Sequence, residues 1–199
     1  PYAFGIMEPI MEVLKQKNHE YLWFLTENLE GKFPFPGEPH TFLIEDLKSF
    51  KSDAIFCPGN EVPHFLRGLK VQIFHGLAGE KKGHFRIRQY FDLNLTQGPY
   101  ITEEFNKKKR KYKDFEVVET GWPKLDIYGQ NLEKFGEEKR ELLNQKNASK
   151  LILYAPTFSP SLTSAPFLLE EIEKAAEDKD YLFLVKFHDL MDPHVKEKY

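Results

Sequence analysis

Only one cysteine, Cys57, occurs in the 199 residues, so no internal disulfide forms and a reducing compartment is expected. Long apolar runs are also lacking. Stretches such as Leu151–Ala155 and Tyr181–Val185 fall far short of the roughly 18 residues a membrane span requires. No charged start followed by an apolar segment marks a signal peptide. An excess of positive charge is missing as well: 28 Lys and Arg against 31 Asp and Glu leave a formal net charge of −3. That balance excludes a globally basic nucleic-acid binder and says nothing against a local basic patch. What is present, 41% hydrophobic and 15% aromatic residues, suffices for a packed core. It excludes low-complexity disorder, collagen-like repeats and a disulfide-stapled miniprotein. A soluble, cytosolic protein is expected. Pro1 already lies inside an apolar pattern and Tyr199 ends a charged stretch, so both ends are expected to be truncations.

Strand-like runs alternate with helix-like segments along the chain. Apolar residues from Phe4 to Leu14 recur at helical spacing, and Glu20–Thr26 reads as an aromatic-rich strand. Residues 28–40, with three prolines and two glycines, read as a loop. Strands are predicted at Asp53–Cys57, Lys70–Phe74, Phe91–Thr96, Phe115–Val118, Leu151–Ala155 and Tyr181–Phe187. Helices are predicted at Ile44–Phe50, Thr102–Lys113, Phe135–Gln145 and Phe167–Ala176. This alternation predicts an α/β architecture with parallel sheets. The polar stretch from about Tyr128 to Ser149 is the best boundary, giving domains of residues 1–129 and 130–199. The first helix has no strand before it, and the second part holds too few strands for an average sheet.

In open parallel sheets ligands sit beyond the carboxyl ends of strands, so residues just after strands carry most weight. Val71–Phe74 runs into His75-Gly76, then a loop with two further glycines, Gly79 and Gly83, and two lysines, Lys81 and Lys82. Such a loop suits an anion, although it matches neither GxGxxG nor GxxxxGK[ST], and a flexible turn explains it equally well. Lys186-Phe187 runs into His188-Asp189, with Asp192 and His194 downstream; this spacing fits no common zinc or calcium pattern. A histidine placed for phosphate contact or proton transfer is the stronger reading there. Tyr154-Ala155-Pro156 leads to the hydroxyls of Thr157 and Ser159, which suit either phosphate or a capping turn. The fourth place is Gly121-Trp122-Pro123-Lys124-Leu125-Asp126, read mainly as a structural turn, with Lys124 and Asp126 either paired or facing a cleft. The run Lys107–Lys113 holds six basic residues in seven. It reads first as a solvated helix face and second as a surface for anionic lipid headgroups or an anionic polymer.

His75-Gly76 after a strand, Gly121-Trp122-Pro123-Lys124-Leu125-Asp126, Ala155-Pro156-Thr157 and Lys186-Phe187-His188 occur in an order that resembles the CDP-glycerol glycerophosphotransferase family of teichoic-acid synthesis. That family shows a Gln-x-x-His-Gly stretch, a Gly-x-Pro-Arg-x-Asp stretch, an Ala-Pro-Thr stretch and a late His-Pro. The resemblance spans about Lys70 to Asp189. Lys124 stands where the family has arginine, Asp189 where it has proline, and Gly76-Leu77-Ala78-Gly79-Glu80 where Gly-Thr-Pro-Leu is commoner.

The resemblance implies a GT-B-like fold of two Rossmann-like parallel-sheet domains, an acceptor-side one first and the start of a nucleotide-binding one second. It implies transfer of glycerol phosphate from CDP-glycerol to a hydroxyl of a lipid-linked glycerol-phosphate or glycan acceptor, with release of CMP, at the inner face of the cell membrane. His75 would be the general base, and His188 would contact the pyrophosphate and the leaving CMP. Thr157 would bind donor phosphate, and Gly76, Lys186, Lys124 and Asp126 would line the substrate. No metal cluster is evident, though a divalent cation bridging phosphates would leave little trace in a sequence. No nucleic acid is expected as partner. The alternatives are a GT-B glycosyltransferase or epimerase using a UDP-sugar, a non-catalytic binding protein that kept the fold, and a membrane-surface module.

Overall fold

Phe4, Ile6 and Met11 form the buried stripe of the first helix, α1 (Phe4–Gln16), as their spacing predicts. The computed structural model describes residues 3–77, 79, 83–87 and 90–199. It divides into two units, Pro1–Gln130 and Asn131–Tyr199.

In the first unit the strand expected at Glu20–Thr26 shrinks to β1 (Trp23–Phe24), paired in parallel with β2 (His40–Thr41). Its aromatics serve a local cluster rather than a wide sheet: the Trp23 ring lies 5.4 Å from Phe33, 5.7 Å from Phe35 and 6.2 Å from Phe4. Phe33 and Phe35 of the loop expected over residues 28–40 therefore contribute packing, because edge-on and tilted aromatic contacts stabilise beyond their buried area.

After α2 (Ile44–Phe50), the main sheet is built from β3 (Ala54–Cys57), β4 (Leu69–Gln72), β5 (Leu93–Thr96) and β6 (Glu116–Glu119). The four are parallel and lie in the order β3-β4-β5-β6. Alternation along the strands separates two faces. Val71, Ile73, Leu93 and Leu95 pack with Ile6, Met7 and Ile10 of α1. Phe74, Phe115 and Val117 pack with Ile101 and Phe105 of α3 (Pro99–Tyr112). Gly68 enters β4 at φ +98°, and a Cβ there would meet the Ser52 carbonyl oxygen and lie 2.9 Å from the Asp53 carbonyl carbon. Only glycine fits that backbone crossing.

α4 (Asp126–Lys146) begins well before the helix expected from Phe135, with non-helical backbone at Asn131 (φ −124°, ψ 15°). The good helix formers lie after that position, in residues 132–146, where exposed pairs such as Lys134–Glu138 at 3.9 Å suit a solvated helix. The second unit then pairs β7 (Lys150–Tyr154) with β8 (Tyr181–Val185) in parallel, joined through α5 (Ala165–Ala176). A final short helix, α6 (Pro193–Lys196), is capped by the Asp192 carboxylate, which accepts from the His194 N–H at 2.9 Å. Four residues carry too little periodicity to announce it. Among the described residues no helix is long and apolar enough to cross a membrane.

Candidate functional site

β4 stops at Gln72, short of the predicted Phe74, and the reason lies in the next two residues. Phe74 adopts a left-handed backbone (φ +57°), which for a bulky side chain costs on the order of 1–3 kcal/mol. Its ring is 3% exposed, and burying a Phe side chain stabilises by about 1.5–3 kcal/mol, which offsets the turn. The turn lifts His75 out of the sheet into solvent.

Three neighbouring loops hold the emerging segment. The His75 Nδ1–H donates to the Pro58 carbonyl at 2.8 Å, the Trp122 Nε1–H donates to the Phe74 carbonyl at 3.3 Å, and the Gln97 Nε2–H donates to the Gly76 carbonyl at 2.7 Å. These partners follow β3, β6 and β5 respectively. Pro58 is fixed in turn by Gln72, a buried amide whose Nε2–H donates to the Gly59 carbonyl at 3.1 Å. This accounts for a glutamine three residues before the histidine. Because a carbonyl only accepts, His75 carries its proton on Nδ1 in the neutral form, and the lone pair lies on Nε2. That is the tautomer a general base needs.

Around Gly76 a Cβ would meet nothing within 4 Å, so the space beside its backbone is open. At Gly79 a Cβ would come within 2.9 Å of the Tyr100 ring, so the loop lies close against the start of α3. Ala78, Glu80, Lys81 and Lys82, part of the anion-loop expectation, lie outside the described residues.

Lys124 does not pair with Asp126; among the described residues its ammonium lies over the Trp122 ring, 5.5 Å from the centroid. Pro123–Leu125 forms a single tight turn, and exposed Asp126 opens α4, where a carboxylate complements the helix dipole.

In the second unit the parallel pairing of β7 and β8 brings two of the singled-out segments together. The Lys186 N–H continues the ladder to the Tyr154 carbonyl at 2.9 Å. The rings of Phe158 and His188 lie 4.5 Å apart. His188 Nδ1 accepts from the Leu190 N–H at 3.1 Å, so the neutral imidazole holds its proton on Nε2. Thr157, Lys186 and His188 are all exposed, and among the described residues the Thr157 hydroxyl makes no hydrogen bond. The two histidines thus hold opposite tautomers, with Nε2 an acceptor in His75 and a donor in His188.

Among the described residues no group of three or more His, Cys, Asp and Glu side chains is gathered to hold a metal ion. Burial pushes the Cys57 pKa up, and its thiol donates to the Glu61 carbonyl at 3.2 Å, both of which favour the neutral thiol. Sequence reasoning passed over Pro58, Gln72 and Gln97 as site residues. Each lies at or just after a strand's carboxyl end, and Gln72 is a polar residue inside an apolar run, which is the signal that marks it.

No curated protein matches this chain. Solved structures of the wall teichoic acid polymerase TagF share its fold: one is 20% identical with a TM-score of 0.62, covering 98% of this chain and 56% of that one. Two TagF variants, each with one histidine replaced, are 18% identical at the same TM-score; they cover 98% and 94% of this chain. The chain therefore spans little more than half the length of those polymerases, and its fold is α/β and GT-B-like. The model of CDP-glycerol:poly(glycerophosphate) glycerophosphotransferases matches residues 71–199, from the strand before His75 to the last residue. The chain belongs to that family.

Proposed function

We propose that the protein of which this chain is part transfers glycerol phosphate from CDP-glycerol to a hydroxyl of a teichoic-acid-type acceptor. The observation that carries the reading is the opposite tautomers of His75 and His188 within a member of this family. The acceptor hydroxyl oxygen attacks the phosphorus that bears the glycerol, and its proton passes to His75 Nε2. The bond from that phosphorus to the bridging oxygen breaks, and CMP leaves with the electron pair. The His188 Nε2–H hydrogen-bonds the phosphate oxygens where negative charge grows. Thr157 contributes its hydroxyl to donor phosphate, and Lys186 and Lys124 contribute positive charge. Gly76 leaves its backbone open to substrate, and Asp126 lies on the same segment as Lys124. Positioning and charge stabilisation dominate this chemistry. The scheme draws no ligand from the protein for a metal; a divalent cation on the donor phosphates would arrive with the substrate.

The test is CMP release from CDP-glycerol by the full gene product. Release that depends on a lipid-linked glycerol-phosphate acceptor is expected. Consumption of a UDP-sugar in place of CDP-glycerol would overturn the reading.

A lipid-linked acceptor would place the protein at the cytoplasmic face of the membrane, and α3 supplies charge for that surface. Lys107 is occupied by Glu103 and Glu104, and Lys109 by Glu116. Among the described residues Lys108 and Arg110 have no ion-pair partner. Near an anionic leaflet each such charge adds about 1 kcal/mol. Replacing both with glutamate should weaken sedimentation with phosphatidylglycerol vesicles roughly tenfold or more. Undiminished sedimentation would leave α3 as a solvated face.

A further inference from the structure

We infer that Trp122 is a positioning residue for His75, acting through the Phe74 carbonyl without touching substrate. The inference rests on the reading of His75 as proton acceptor. Trp122 packs among Ile6, Val71 and Ile73 on the α1 side of the sheet, a task that calls for an aromatic ring and not for a hydrogen-bond donor. Only the indole N–H does something packing does not require: it holds the carbonyl of Phe74, the residue in left-handed conformation directly before His75. Gln97 holds the other side, at the Gly76 carbonyl, and its own Oε1 is buried with no hydrogen-bond partner among the described residues. A buried acceptor left unpaired is a cost, accepted here where the amide is committed to the histidine loop. With both neighbouring carbonyls tied, the imidazole of His75 is confined to the arc from which Nδ1 reaches Pro58. The turn Gly121-Trp122-Pro123 thereby joins the chemistry of the first unit instead of merely closing β6.

Trp122→Phe keeps an aromatic ring, though a smaller one, and deletes the donor. In the full gene product, kcat for CMP release should fall about tenfold, with KM for CDP-glycerol unchanged, because one hydrogen bond acts only on the geometry of the base. In a His75→Ala background the same substitution should change nothing further. The 15N signals of His75 should move from the Nδ1-protonated pattern in the wild type toward averaged tautomers in Trp122→Phe. Wild-type kcat in Trp122→Phe beside a crippled His75→Ala would overturn this inference alone. An equal further loss in the His75→Ala background would also overturn it, assigning Trp122 to folding. Full activity of His75→Ala would overturn the reading of His75 itself, and the 15N signals would still decide whether Trp122 orients the ring.

Discussion

His75→Ala in the full gene product should lower acceptor-dependent CMP release by on the order of 100-fold or more. CDP-glycerol binding, measured by calorimetry, should hold, because Thr157 and His188, the residues assigned to hydrogen-bond the donor phosphates, belong to the other unit. The loss comes from the proton: with Nδ1–H committed to Pro58, Nε2 is the atom that accepts it, and alanine offers no substitute. His75→Gln should be no better than alanine. A carboxamide accepts a hydrogen bond but does not take up a proton near neutral pH, so shape is kept and chemistry is lost. Near-wild-type turnover in the alanine variant would remove His75 from the reaction. Recovery in the glutamine variant alone would make it a hydrogen-bonding group and not a base.

The second large effect is expected at His188, and its pattern should differ. His188→Ala removes a donor aimed at growing negative charge, a loss on the order of 100- to 1,000-fold in kcat. Weaker CDP-glycerol binding should accompany it, since the same N–H meets ground-state phosphate. Here His188→Gln should restore part of the rate. The Leu190 N–H fixes Nδ1 as an acceptor and leaves Nε2–H to donate, a task an amide N–H also performs. Phe158 packs against the imidazole and limits where a replacement side chain can lie, so recovery should be partial. A glutamine variant as inactive as alanine would exchange the donor role for proton transfer. An alanine variant with wild-type kcat and KM would exclude His188 from the site. The contrast between the two histidines under the same substitution is the sharpest consequence of their opposite tautomers.

Much of the fold is legible in the amino-acid order because it is governed by local periodicity. α2 lies where its apolar spacing places it, and β3, β5, β7 and β8 differ from their predicted spans by a residue or two. Two elements depart further. The Glu20–Thr26 run is rich in strand-forming aromatics, but Trp23 finds Phe33 and Phe35 from a distant loop, and a partner that remote leaves no mark on local pattern. α4 begins well before the predicted Phe135, through a stretch that holds Gly129 and Asn131, both poor helix formers, which is why the sequence does not announce it.

For the site the division runs between which residues and which atoms. Sequence alone determined that histidines follow strands at 75 and 188, that a Gly-Trp-Pro turn follows another, and that these segments occur in a family's order. Strand ends are where parallel sheets expose side chains, so that much needs no coordinates. Only the tertiary structure decided that Pro58, Gln97 and Trp122 converge on residues 74–76, since they come from three separate loops. It also decided which nitrogen of each imidazole carries the proton. A tautomer depends on a single partner within about 3 Å: for His75 strand pairing brings up the Pro58 carbonyl, and for His188 the turn after β8 brings back the Leu190 N–H.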